Sequence, residues 1–207
     1  MRAWVALAMV GGVASGTPVW AFEDVEGDRP MTRRELLQVL YPMVKRMEAQ
    51  GAIVPSQSPA ITTYADLEGE ERDWAIDLSG RFHLFMGVPA LTSGRFNASL
   101  PVSRWEAAMV LGELLRRAHP EAVRLLPPGE PRRFSDLTLA EGSRLQPVVT
   151  PGLFIGYPDQ TFRTQEPLTH AHWARIADQL APLGRFQAPA PAPAKPAALK
   201  DEFKLLK

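Results

Sequence analysis

The feature that most constrains the fold of this chain is an internal repeat. A tetrad of the pattern aromatic-x-Asp-aliphatic occurs three times, at residues 22–25, 64–67 and 134–137. Each tetrad precedes a signature that follows a proline by two residues and opens a run of apolar residues at helical spacing. The strict alternation of the two patterns predicts copies of one supersecondary unit rather than a single irregular domain.

The second signature predicts the start of an α-helix in each copy. In the first two copies its spacing is that of a capping box, in which a Thr or Ser side chain accepts from the N3 amide and a Glu at N3 accepts from the cap amide. In the third copy His172 stands where the glutamate would be, so we expect a weaker helix start there. We assign a structural capping role to Thr32, Glu35, Ser103, Glu106 and Thr169.

Composition narrows the classes of function. The chain contains no cysteine, which excludes disulfides, thiolate metal sites and a cysteine nucleophile. Lys plus Arg and Asp plus Glu number 23 each, and residues 22–185 carry 18 basic and 21 acidic side chains, a net charge of −3. This balance argues against a nucleic-acid partner and means that binding to an anionic polymer would depend on local sites.

The two ends of the chain differ from its middle. Residues 1–21 have a basic start, a short apolar run and a small-x-small ending, a pattern that predicts a cleaved secretory signal peptide and an exported protein. The alternative is an uncleaved N-terminal anchor. Residues 186–207 are rich in Pro and Ala and predict a disordered tail, whose last nine residues are either frayed or a docking peptide for another envelope protein.

The order of motifs resembles that of the S-layer homology (SLH) family. The second copy shows Tyr64 and Asp66, then Trp74, Gly87 and Phe96, then the signature at residues 103–106. The third copy supplies the family's turn and the residues around it: Phe134, Asp136, Gly152, Gly156, Tyr157, Pro158, Asp159, Phe162 and Thr169.

The resemblance implies a mainly α fold of three SLH-like helical repeats in a pseudo-threefold arrangement with Pro-rich loops. We expect a truncated first repeat at residues 22–50, because Asp24 is only eight residues from Thr32. Fuller repeats follow at residues 64–120 and 134–185. The stretches 51–63 and 121–133 are then linkers.

The function that the resemblance implies is non-catalytic anchoring at the cell surface, in the cell wall or in the periplasm. Family members bind a cell-wall polysaccharide or peptidoglycan-linked glycan in grooves between repeats. By position, Arg33 and Arg104 are the candidate glycan contacts, each one residue past its cap, and His170 is the weaker equivalent. The alternative for both arginines is a solvated charge at a helix end. Asp159 is a further candidate that also suits an Asx turn.

Two other classes of function are weighed against anchoring. A metal hydrolase built on His170 and His172 is disfavoured, because residues two apart on a helix do not face one another and no catalytic motif or cofactor fingerprint is present. A helical adaptor that binds another envelope protein remains open, since the first repeat is short and the third cap is degenerate.

Overall fold

The computed structural model describes residues 28–59, 62–92, 94–128 and 132–187. Their regular structure is almost entirely helical, which confirms a mainly α fold. The predicted signal peptide, the first tetrad at residues 22–25 and residues 188–207 of the predicted tail lie outside the described residues. The helices are α1 (Arg33–Ala49), α2 (Gly69–Gly80), α3 (Pro89–Thr92), α4 (Arg104–Arg117), α5 (Pro120–Val123), α6 (Leu139–Val149) and α7 (His170–Leu180), and a 3-10 turn (Leu183–Arg185) follows.

Helices α1, α4 and α7 begin at the three predicted caps. Thr32 and Ser103 each accept from the N3 amide, and the glutamate three residues on accepts from the cap amide, so that both capping boxes are closed. Thr169 accepts from the amide of His172 and has no reciprocal bond from a carboxylate. We call α1, α4 and α7 the tip helices.

The segments that lead into the tip helices meet one another. Residues 30–32, 101–103 and 167–169 pair through isolated antiparallel bridges, which join each segment to the other two. The amide of Met31 donates to the carbonyl of Leu168 at 2.8 Å, that of Leu168 to Val102 at 2.8 Å, and that of Val102 to Met31 at 2.9 Å. These three bonds form a closed ring, which we call the tip ring.

The other helices pack around the tip helices. Helix α1 packs on α2, where Tyr41 stacks on Trp74 with ring centroids 5.1 Å apart, and α4 packs on α6. One apolar core runs through these contacts, and Trp173 of α7 is buried in it. Burial of apolar side chains around the tip helices is what stabilises the arrangement, because each helix offers only one apolar face.

Three local features are defined by the structure more closely than by the sequence. Residues 139–149 lack clear periodicity, yet they form helix α6, which begins with a capping box of Thr138 and Glu141. The expected linker at 121–133 contains most of a one-turn helix, α5, capped by the His119 ring. Helix α1 continues through Pro42, whose side chain lies at the exposed surface.

Candidate functional site

The first two amides of every tip helix are bound by the neighbouring segment. The N1 amides of Arg33, Arg104 and His170 donate to the carbonyls of Leu100, Glu166 and Arg29, the residues directly before the three tip prolines. The N2 amides of α1 and α4 likewise donate to carbonyls, whereas that of Ala171 in α7 donates to the carboxylate of Asp28 at 3.2 Å. The protein itself therefore occupies the amides that a helix start would otherwise offer to an anion.

Arg33 lies inside the molecule, with 7% of its surface exposed. Its guanidinium donates to the carbonyl of Phe96 at 3.2 Å and forms an ion pair with Glu106 at 2.5 Å. Glu106 thus serves two purposes, because its other oxygen accepts from the cap amide of Ser103 at 3.0 Å. A buried charge requires such compensation, so Arg33 is a structural link between α1 and α4.

Arg104 is even more buried, with 1% of its surface exposed. Its side chain donates to the carbonyls of Phe162 at 3.0 Å and Ile155 at 3.2 Å, and its guanidinium lies 4.9 Å from the centre of the Tyr157 ring. It forms no ion pair with a carboxylate in the described ranges. Desolvation by burial accordingly lowers the pKa of Arg104. Neither Arg33 nor Arg104 is therefore a solvated charge at a helix end, which was the alternative that the sequence left open.

His170 takes the equivalent place on α7 and faces the first tip helix. Its Nε2 lies 3.4 Å from Oε2 of Glu35, and the same glutamate accepts from Arg29 at 2.5 Å. The hydrogen bond from Arg29, opposed by desolvation and aided by the bonds from Thr32, lowers the pKa of Glu35 to about 2. Glu35 is therefore ionised and shared between the cap of α1 and the junction with α7.

A regular pattern links the three junctions between the tip helices. At the first, the N1 arginine of α1 pairs with the N3 glutamate of α4, and at the closing junction the N1 histidine of α7 faces the N3 glutamate of α1. At the remaining junction the N1 residue is Arg104, and the N3 residue of α7 is His172. Histidine at this position removes the N3 carboxylate of the other two junctions, so the negative charge that acts on both Arg104 and His172 is that of Glu166.

The junction between Arg104 of α4 and His172 of α7 has a local excess of positive charge. Desolvation, and then the nearby charges of Arg104 and Arg175, lower the pKa of the half-buried His172. Desolvation and the charge of Arg104 also lower the pKa of Arg175, whose guanidinium donates to the carbonyl of Leu153 at 2.9 Å. We call Arg104 and Arg175, together with the His172 ring that its lowered pKa keeps neutral at pH 7, the cationic cluster. Arg175 was not predicted as a site residue from the sequence, although it lies five residues after the first residue of α7.

The turn at residues 156–163 extends from this cluster to the surface of the protein. The guanidinium of Arg163 lies 3.8 Å from the centre of the Tyr157 ring, on which Arg104 also packs. Desolvation and a hydrogen bond with Glu166 raise the pKa of Tyr157 to about 12, so the phenol is neutral. The exposed Asp159 accepts from Thr161 at 2.6 Å and pairs with Arg163 at 3.1 Å. Asp159 therefore forms the predicted Asx turn. Its ion-pair partner Arg163 packs on the Tyr157 ring.

The aspartates of the second and third tetrads hold equivalent turns. Asp66 accepts from the amides of Phe96 and Asn97 at 2.7 and 2.6 Å, and Asp136 accepts from those of Phe162 and Arg163 at 2.8 Å each. Desolvation would raise the pKa of Asp66, but the amide bonds outweigh it and lower the pKa. These carboxylates therefore serve as hydrogen-bond acceptors within the turns, the role that the sequence favours for them.

The remaining surface offers few alternatives in the part of the chain that has been described. His170 and His172 point to different junctions, and no three His, Asp or Glu side chains of the described residues lie together as metal ligands would. A separate finding is that no described helix has the length and apolar character needed to span a bilayer.

Comparison with known proteins gives one match. Residues 145–174 match the S-layer homology domain. The matched segment holds Tyr157, Asp159, His170 and His172, together with the third tip segment, and it ends one residue before Arg175. A search of the curated proteins and a search of the solved structures found no match.

Proposed function

We propose that this chain is a non-catalytic envelope module that binds an anionic cell-wall polysaccharide or a peptidoglycan-linked glycan. The S-layer homology match at residues 145–174 supports anchoring at the cell wall, and the pattern of residues 1–21 supports export. In this proposal the matched segment belongs to the third of three repeats, and the first repeat is truncated.

The tip ring supports a pseudo-threefold arrangement of those repeats. Its three hydrogen bonds join the middle residues of three Pro-x-Thr/Ser segments, and each bond runs in the same sense around the ring. The N1 amide of each tip helix also donates to the carbonyl of the residue directly before the proline of the next segment. Equivalent atoms thus make equivalent contacts three times, as expected of copies of one unit around a common axis.

The observation that carries the proposal is the missing N3 carboxylate at the junction of Arg104 with α7. Arg33 has Glu106 and His170 has Glu35, whereas the cationic cluster has histidine at the corresponding position. Arginine recognises carboxylates through paired donors, and an interaction in a desolvated site is stronger than in water. A carboxylate of the glycan would take the place that glutamate holds at the other two junctions.

The half-buried members of the cluster make the direct contact in this proposal. His172 and Arg175 are partly exposed, whereas Arg104 lies beneath them and contributes its positive charge. The guanidinium of Arg163, which covers the buried Tyr157 ring, offers a flat exposed face for a sugar ring, and Asp159 offers a carboxylate to sugar hydroxyls at the same edge. Arg33 and His170 are then weaker candidates, because their junctions already contain a carboxylate.

The test is to supply the missing carboxylate from the protein itself. In the variant His172→Glu the new side chain should pair with Arg104 as Glu106 pairs with Arg33, and it should compete with the ligand. We expect at least about a tenfold loss of binding to purified cell-wall sacculi that retain their attached polymers, with no loss of folding.

A matched control separates competition from simple charge. Ala174→Glu adds the same charge to an exposed position on α7, two residues away, and should bind sacculi nearly as the wild type does. Equal binding by His172→Glu and the wild type would refute the cationic cluster as the glycan site.

A further inference from the structure

A groove of about 350 Å³ runs between α1 and the C-terminal half of α7, and no described residue fills it. Its floor is apolar. Val39, Pro42 and Met43 line it from α1, while Ala177 and Leu180 line it from α7. Val39 is among the few large apolar side chains that are exposed in the described part of the chain, with 36% of its surface open to solvent.

Two arginines form the rim of this groove. Arg46, in the last turn of α1, and Arg185, in the 3-10 turn, both have exposed side chains. Within the described ranges, neither forms a hydrogen bond or an ion pair with another side chain, although other exposed arginines such as Arg81 and Arg124 do. An apolar floor under two such guanidinium groups suits a chain segment that carries both carboxylates and apolar side chains.

The position of the groove follows from an asymmetry among the tip helices. Helix α1 packs on α2 and α4 packs on α6, whereas no described helix packs to a similar extent on α7. Leu37 of α1 and Ala108 of α4, each four residues after the first residue of its helix, are buried, but the corresponding Ala174 of α7 is exposed. The groove opens beside the side of α7 that has no partner helix.

We propose that residues 22–27 of this chain dock in this groove. Their sequence, Phe-Glu-Asp-Val-Glu-Gly, has two apolar side chains, three carboxylates and no basic group. Because side chains alternate in an extended segment, Phe22 and Val25 contact opposite walls of the groove, and carboxylates of the segment pair with the two rim arginines. The segment thereby covers part of the surface that a partner helix covers on α1 and α4.

The chain path makes this docking possible. Asp28 is held at the second residue of α7 by its bond from Ala171 at 3.2 Å, so the preceding residues start at the upper end of the α1–α7 junction. Six residues in extended form span about 20 Å. Leu180 lies nine residues after Ala171, a distance of roughly 14 Å along the helix axis. Residues 22–27 are therefore long enough to reach the whole floor.

Charge distinguishes this segment from the other one that could reach the groove. Residues 188–207 also begin nearby, because Arg185 lines the groove, but they contain four lysines and only two carboxylates. A tail with a net positive side-chain charge is a poor partner for two arginines that have no side-chain partner in the described ranges. The side chains of residues 22–27 carry three negative charges, and the α-ammonium group that cleavage after residue 21 creates still leaves the segment negative.

Disulfide trapping tests the proposal cleanly, because the chain has no cysteine of its own. The full-length double variant Glu23→Cys with Ala181→Cys should form an intramolecular disulfide under mild oxidation. It should do so at least about tenfold faster than Glu23→Cys with Leu139→Cys, since position 139 is 80% exposed at the start of α6. Changing both Arg46 and Arg185 to Glu should slow the first reaction about tenfold.

Each other outcome would overturn the proposal. Equal rates for the two cysteine pairs would show that residues 22–27 do not dock. Dimers linked between chains would show that a second copy fills the groove, and faster trapping of Lys204→Cys with Ala181→Cys would assign the groove to the tail. None of these readouts involves glycan binding, so the result is independent of the proposed function.

Discussion

At the scale of single residues, the turn at 156–163 depends on the absence of a side chain at Gly156. A Cβ at this position would lie 2.3 Å from Cε1 of Phe134 and 2.9 Å from the carbonyl oxygen of Thr161. The turn has little freedom to move away, because Asp136 holds the amides of Phe162 and Arg163. Phe134, in turn, packs against Phe162 in the core.

The change Gly156→Ala should therefore destabilise the protein by about 1–3 kcal/mol, since either the Phe134 ring or the turn must shift. Urea unfolding followed by circular dichroism measures the effect. Gly142→Ala is the matched control, because a Cβ there has no atom within 4 Å and the residue lies in helix α6. That control should stabilise by roughly 0.5–1 kcal/mol. Equal effects of the two changes would contradict the proposed close packing.

His172 should make stability depend on pH. Its pKa in the folded protein is lowered, by desolvation and by Arg104 and Arg175, below the value of an unfolded chain. The fold thus favours the neutral ring, and the stabilisation is fully present above pH 6.5 and is lost as the pH falls through the lowered folded pKa. The urea midpoint of the wild type should drop between pH 7.5 and pH 5, and His172→Gln should remove part of that drop. An unchanged pH profile in the variant would show that another group is responsible.

At the scale of helices, α7 is the tip helix with the least support at its start. Helices α1 and α4 have complete capping boxes, but α7 has only the bond from the amide of His172 to Thr169 at 3.2 Å. Helix α7 also lacks a partner helix of the kind that α2 and α6 provide. We therefore expect its first turn to be a place where stability can be gained.

His172→Glu should stabilise the folded protein by about 0.5–2 kcal/mol, because it completes the capping box and gives Arg104 a carboxylate. The free energy of unfolding in urea measures this gain at pH 7. Ala174→Glu tests whether negative charge near the helix start is sufficient, and it should yield only a few tenths of a kcal/mol. A gain in Ala174→Glu as large as that in His172→Glu would rule out the specific pair.

The helices also show what the sequence could and could not predict. The starts of α1, α4 and α7 follow from local signals, since cap residue and apolar spacing lie within one turn of each other. Helix α6 has the same box, but its bounds and cap were not predicted, because its apolar spacing is irregular and no Pro-x-Thr/Ser pattern precedes it. The partners of Arg33 lie 63 and 73 residues away, and no local pattern specifies such contacts. Buried structural arginines were therefore taken for exposed ones.

At the scale of the whole molecule, the tip ring ties together segments from the start, middle and end of the described chain. The middle residue of each segment donates to one of the other segments and accepts from the other, so one segment cannot leave without breaking two bonds. The closing junction uses Asp28 and Arg29, which precede the first helix and bind the start of α7. A short strand near a chain end would ordinarily fray, but here it is held on both sides.

Because the ring is closed, its three amides should become accessible to solvent only when the whole molecule unfolds. Native-state hydrogen exchange followed by NMR should give Met31, Val102 and Leu168 the same opening free energy, equal to the global free energy of unfolding. Asp28→Ala, which removes the acceptor for Ala171, should lower all three values together, by about 0.5–2 kcal/mol. If Met31 instead exchanged through a smaller opening than Val102, the first segment would fray independently. The closing junction would then be an attachment at the edge of a two-segment core, and the equivalence of the three tip helices would be lost.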